Sequence, residues 1–115
     1  MAKKRQSLKS PRLSAYNKQK GHCFYCGHPM WLDNPSDFSA EHKISLKQAS
    51  KFQCTGEHLM AFQDGGSSSQ KNIVAACIFC NQTRHKRKNA PSPIIYKALV
   101  QKRVRQGKWN CSFIH

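Results

Sequence analysis

The sequence predicts a small α+β domain: two short strands, a helix directly after them, and a further helix near the C-terminus. Three observations predict it. The chain has 115 residues, enough for one domain with a modest core. The stretch from Gln53 to Lys88 reads as strand, polar loop, strand, helix. Four of the six cysteines form two Cys-x-x-Cys pairs, Cys23/Cys26 and Cys77/Cys80, the kind of feature that staples a core too small to stand alone.

Residues 1–20 hold seven Lys or Arg and no acid. Such a segment buries little apolar surface and reads as a basic arm for phosphates, mobile when free, with a short helix starting around Leu13, Ala15 and Tyr16 before Gly21. Cys23-Phe24-Tyr25-Cys26-Gly27 is a tight knuckle: two thiolates at this spacing reach one ion, and the glycine lets the chain turn. The second pair follows about fifty residues later, wider than a zinc ribbon, so two distant parts of the chain would close one four-cysteine zinc site. That tetrahedron is complete without His28, which reads as a surface histidine. Residues 28–37 read as loop and turn. Glu41-His42 follows, then a short basic helix or turn over 46–52.

The first strand spans Phe52 to Leu59, with Phe52, Cys54 and Gly56 on one face and Gln53, Thr55 and Glu57 on the other. Gly65-Gly66 marks a turn, and 67–71 a polar loop. Asn72 opens the return strand, Ile73 to Ala76, which Cys77 closes. Ile78 to about Lys88 is predicted helical, and Asn89 to Pro93 breaks it. Pro93 starts the last helix, with Ile94, Ile95, Ala98 and Leu99 on its packing face and Lys97, Lys102, Arg103 and Arg105 outside; Gly107 stops it. Trp109, Phe113 and Ile114 are expected to cover apolar surface.

Twenty Lys and Arg against five acids give a net charge of +15. That excess points to a polyanionic partner, most simply nucleic acid; the plainer alternative is a solvated basic surface. No segment is both strongly basic and strongly apolar on opposite faces, so no membrane partner is expected. No secretory signal or bilayer-spanning run is legible, which places the protein in the cytoplasm. In that reducing compartment six cysteines point to metal rather than disulfides.

Glu57-His58, the Gly65-Gly66 turn, Asn72, and Cys77-x-x-Cys80 followed by Asn81 and His85 together resemble the HNH nuclease family, in its zinc-containing branch with two Cys pairs. The resemblance implies a ββα-metal, treble-clef-like core and a metal-dependent endonuclease hydrolysing DNA. It assigns His58 as general base, Glu57 and Asn81 as holders of a catalytic divalent ion (Mg²⁺ or Mn²⁺), and Asn72 as the residue that holds the strand connection and orients the histidine. His85, one helical turn beyond Asn81, adds a ligand or contacts the scissile phosphate. The implied partner is double-stranded DNA, a homodimer is compatible, and the setting is a bacterial or phage-infected cell. On this reading residues 1–20 are the arm, 21–90 the nuclease domain with its zinc, and 91–115 a helix and tail packed on it. Two features depart from the usual family pattern: Glu57 stands where Asp is commoner, and Glu41-His42 lies inside a long gap. The spacing from His58 to Asn72 selects Glu57-His58 over Glu41-His42. A zinc-stapled module that binds nucleic acid without cutting it is the alternative.

Overall fold

The computed structural model describes residues 9–60 and 71–110. Among them are five α-helices, one 3-10 turn and a two-stranded antiparallel sheet. The expected Gly65-Gly66 turn, most of the 67–71 loop, Cys111, Phe113 and Ile114 lie outside the described residues.

Helix α1 (Lys9–Lys18) contains the short helix expected around Leu13, Ala15 and Tyr16, and over residues 9–18 it replaces the mobile arm. It packs against both strands and buries Ala15 in the main core. Gln19, just past its end, acts as a strand mimic: its amide donates to the Ala75 carbonyl at 2.8 Å and accepts from the Ala75 N–H at 2.9 Å. These bonds satisfy backbone groups on the open edge of the sheet. Gly21 closes the helix at φ +77°, where a Cβ would lie 3.0 Å from the Tyr16 hydroxyl; only glycine meets both conditions.

After the knuckle comes a helical insertion, whose start at Pro35 lies in the stretch 28–37 expected as loop and whose second half is the short helix or turn expected over 46–52. Helix α2 (Pro35–His42) has Pro35 in its first turn and Asn34 as its cap, the Asn34 side chain accepting from the Asp37 N–H at 3.0 Å. Asn-Pro-Ser-Asp is a turn cluster by composition, but it is also a helix start. Helix α3 (Leu46–Ala49) opens on a Ser45/Gln48 capping box and runs into a 3-10 turn, Ser50–Phe52. Phe38, Ile44, Ala49 and Phe52 form a satellite core, roofed by Trp31, whose indole N–H donates to the Ala49 carbonyl at 2.7 Å. Glu41 and His42 end α2, Glu41 exposed and His42 packed on the Phe38 ring at 4.3 Å.

Strands β1 (Cys54–His58) and β2 (Ile73–Cys77) pair in the register Cys54 to Cys77, Thr55 to Ala76, Gly56 to Ala75, Glu57 to Val74 and His58 to Ile73. β2 is apolar because it is covered, with Ile73, Ala75, Ala76 and Cys77 all buried. Its last residue, Cys77, is also the N-cap of helix α4 (Ile78–His85), its sulfur accepting from the Cys80 N–H at 3.4 Å.

Helix α5 (Pro93–Arg105) starts at the predicted proline, but its buried face is not the predicted one. Ile94 is 81% exposed, Ile95 64%, and Ala98 is exposed as well; Tyr96 and Val100 are buried and Val104 half-buried. Tyr96 sets the rotation. Its hydroxyl donates to the Cys80 carbonyl at 2.8 Å, and its ring meets Tyr25 edge-on at 4.8 Å. Lys97, expected outside, is half-buried with its ammonium 4.3 Å from the Phe24 ring centre. Trp109 is buried and packs against Phe79 and Tyr96. No helix of the described residues is long and apolar enough to cross a membrane.

Candidate nuclease site and zinc centre

The sulfurs of Cys23, Cys26, Cys77 and Cys80 lie within 4.8 Å of one another, and all four residues are buried. Cys26 and Cys77 are 3.9 Å apart, sulfur to sulfur. That excludes a disulfide and matches the edge of about 3.8 Å that four sulfurs make at about 2.3 Å from a tetrahedral zinc. N–H groups from around the fold point at the sulfurs. Tyr25 and Cys77 donate to Cys23 at 3.4 and 3.3 Å, and the Trp109 indole donates to Cys80 at 3.3 Å. Donors of this kind fix ligand orientation and favour the ionised thiolate. Burial opposes ionisation of Cys23, yet hydrogen bonds with Cys26, Cys77 and Cys80 hold its thiol well below the usual range; the same sharing, led by Cys23, drives Cys77 and Cys80 upward. Four buried sulfurs competing for protons fit a soft divalent cation. Cys54 stands opposite Cys77 in the ladder but outside this group, and burial pushes its thiol up to about 11.

One turn of α4 beyond Cys80 lies a second cluster of charge. Glu57 is 2% exposed, the only buried acid among the described residues. An isolated buried carboxylate is costly, so its partners matter. Oε1 is 2.9 Å from His85 Nε2. Oε2 takes two donors, the Tyr25 hydroxyl at 3.2 Å and the Arg84 guanidinium at 3.4 Å. Burial and the Glu57 charge hold the Tyr25 phenol well above its ordinary value, so it stays protonated and donates. Arg84 is itself buried, and its Nε also donates to the Pro91 carbonyl at 3.0 Å.

The structure therefore brings Glu57 and His85 into contact. Asn81 sits one turn before His85 on α4, with its amide donating to Thr55 Oγ1 at 3.0 Å and the Gly56 carbonyl at 3.4 Å. Asn72 clamps the end of β1: its side chain accepts from the Met60 N–H at 2.8 Å and donates to the Met60 carbonyl at 3.0 Å. His58 is half-buried and faces Ile73 across the ladder. Tyr25 and Arg84 were not picked out from the sequence. The available signals were Tyr25's place between Cys23 and Cys26 and Arg84's place three residues after Asn81, on the same helical face.

A family model described as HNH endonuclease matches residues 23–87, from Cys23 to just past His85. The chain belongs to the HNH endonuclease family. This HNH protein matched no curated protein and no solved structure. Family membership makes it a nuclease-type protein, implies a nucleic-acid substrate and suggests a divalent metal. The matched span encloses both halves of the four-cysteine cluster together with Glu57, His58, Asn72, Asn81 and His85.

Proposed function

We propose that this HNH protein is a metal-dependent endonuclease that hydrolyses phosphodiester bonds in double-stranded DNA. The carrying observation is the contact between buried Glu57 Oε1 and His85 Nε2 at 2.9 Å. Two ligand atoms in neighbouring positions of an octahedron, each about 2.0–2.1 Å from Mg²⁺, stand about 2.9 Å apart. Glu57 and His85 thus fit a divalent ion, with Asn81 on the same helical face as third holder. Bound there, Mg²⁺ or Mn²⁺ would stabilise the negative charge that builds on the phosphate oxygens.

The remaining steps belong to side chains of this chain. His58 takes a proton from the attacking water, a role suited to imidazole near neutral pH. Water oxygen bonds to phosphorus, the P–O bond to the leaving oxygen breaks, that oxygen takes a proton from solvent water, and His58 returns its own proton to solvent. Asn72 holds the end of β1 and so fixes the position of His58 two residues before Met60. Lys86, Arg87 and Lys88, all exposed just beyond His85, supply phosphate contacts beside the reacting group.

The test is nicking of supercoiled plasmid with zinc retained and Mg²⁺ or Mn²⁺ added or omitted. His58→Ala is expected to lower the rate by about 10²–10⁴-fold while zinc content and DNA binding hold. His42→Ala, in the satellite cluster, is the matched control and stays active. Loss of activity in His42→Ala with normal cutting by His58→Ala would move the base to the other Glu-His pair. DNA binding without cleavage by the unaltered chain would leave a non-catalytic zinc module.

A further inference from the structure

We propose that Tyr25 positions Glu57, so that the zinc knuckle sets the geometry of the divalent-ion site; this rests on the ion site described above. Tyr25 lies between two zinc cysteines and is fully buried. Its backbone N–H donates to the Cys23 sulfur at 3.4 Å, and its hydroxyl donates to Glu57 Oε2 at 3.2 Å. Its ring is gripped edge-on by Tyr96 at 4.8 Å, whose own hydroxyl is tied to the Cys80 carbonyl. One residue thus spans from a zinc sulfur to the acid, and the second Cys pair holds its ring in place.

The geometry divides the carboxylate into two halves with separate roles. Oε2 is occupied by Tyr25 and Arg84, so Oε1 is the oxygen left to His85 and to an ion. Glutamate has one more rotatable bond than aspartate, and a carboxylate free to turn would offer either oxygen. A donor anchored to the zinc knuckle removes that freedom. Partners that orient a ligating carboxylate in this way typically change metal affinity by about 10–100-fold when removed.

The experiment is a Mn²⁺ titration of the zinc-loaded chain, read by the electron paramagnetic resonance signal of free Mn²⁺, which needs no turnover. Tyr25→Phe keeps the ring and removes only the hydroxyl, and the Kd for Mn²⁺ is expected to rise by about 10-fold or more. Tyr16→Phe removes a part-buried hydroxyl that bonds the Met30 carbonyl at 3.4 Å and touches neither Tyr25 nor Glu57, and leaves the Kd unchanged. Glu57→Ala loses the site. If Tyr25→Phe binds Mn²⁺ as the unaltered chain does while Glu57→Ala does not, the positioning role is wrong and the ion site stands. Equal weakening by Tyr25→Phe and Tyr16→Phe also overturns it, since the cause is then general packing. If Glu57→Ala binds like the unaltered chain, the ion site itself fails and the proposal with it. A second measurement needs no substitution: with 3-fluorotyrosine at all three tyrosines, Mg²⁺ should shift the ¹⁹F resonance of residue 25 and leave that of residue 16 in place. A residue 25 resonance indifferent to Mg²⁺ refutes the link.

Discussion

Replacing Arg84 by methionine keeps its apolar stem and removes the guanidinium. Glu57 retains Tyr25 and His85 but loses the charge 3.4 Å from Oε2, and the Pro91 carbonyl loses its donor. The two side chains are 11% and 3% exposed, so water cannot take the place of the lost partner. Breaking a buried pair from one side costs about 3–5 kcal/mol. His85 already sits on Oε1 and is half exposed, which moderates the loss, so the low end, about 3 kcal/mol, is expected. At about 4 °C per kcal/mol for a chain of this size, Tm should fall by about 12 °C. Adding Glu57→Gln to Arg84→Met removes the stranded charge, and the double variant should regain much of that fall. The assay is thermal unfolding followed by circular dichroism near neutral pH, with zinc held constant because bound metal itself shifts Tm. A drop in Arg84→Met of less than about 3 °C, or a double variant whose loss equals the sum of the two single ones, would show that the pair is not a coupled buried unit.

Two further outcomes follow from the fold. Purified protein should carry one tightly held zinc per chain, and serine at Cys23, Cys26, Cys77 or Cys80 should loosen the fold, whereas serine at Cys54 or Cys111 should leave the metal in place; elemental analysis with circular dichroism decides, and metal-free protein that is fully folded would contradict it. Deleting residues 1–8 removes Lys3, Lys4 and Arg5 and should flatten the salt dependence of DNA binding by up to about 0.9 in slope per lost phosphate contact; deleting 1–20 should unfold the protein, because it strips Ala15 from the core and Gln19 from β2.

The strand-strand-helix order and the closure of the Cys pairs were legible because each rests on local pattern: β-branched residues after Asn72, thiols at metal-ligand spacing, proline at a helix start. The rotation of α5 was not. Its sequence carries two apolar stripes, one through Ile94, Ile95 and Ala98 and one through Tyr96, Val100 and Val104, and helical periodicity admits both. What selects the second is the Tyr96 hydroxyl bonding a carbonyl sixteen residues away, a tertiary event. Helix α2 was missed because Asn, Pro, Ser and Asp serve turns and helix caps alike. In the site, the resemblance named Glu57 and His85, but no local pattern announces that a glutamate will be buried. That required Arg84 and Tyr25 to arrive from other parts of the chain.

The double duty of Cys77 has an evolutionary consequence. As last residue of β2 and N-cap of α4, it leaves no slack between sheet and helix. One residue inserted after it would turn the helix by about 100° and advance it by about 1.5 Å, swinging Asn81, Arg84 and His85 away from Glu57 in a single event. Length variation among descendants of this sequence must therefore gather elsewhere. The stretch between the knuckle and β1 can absorb it, since α2 and α3 carry their own small core there. That stretch is a natural place for new binding preferences to be tried without resetting the chemistry.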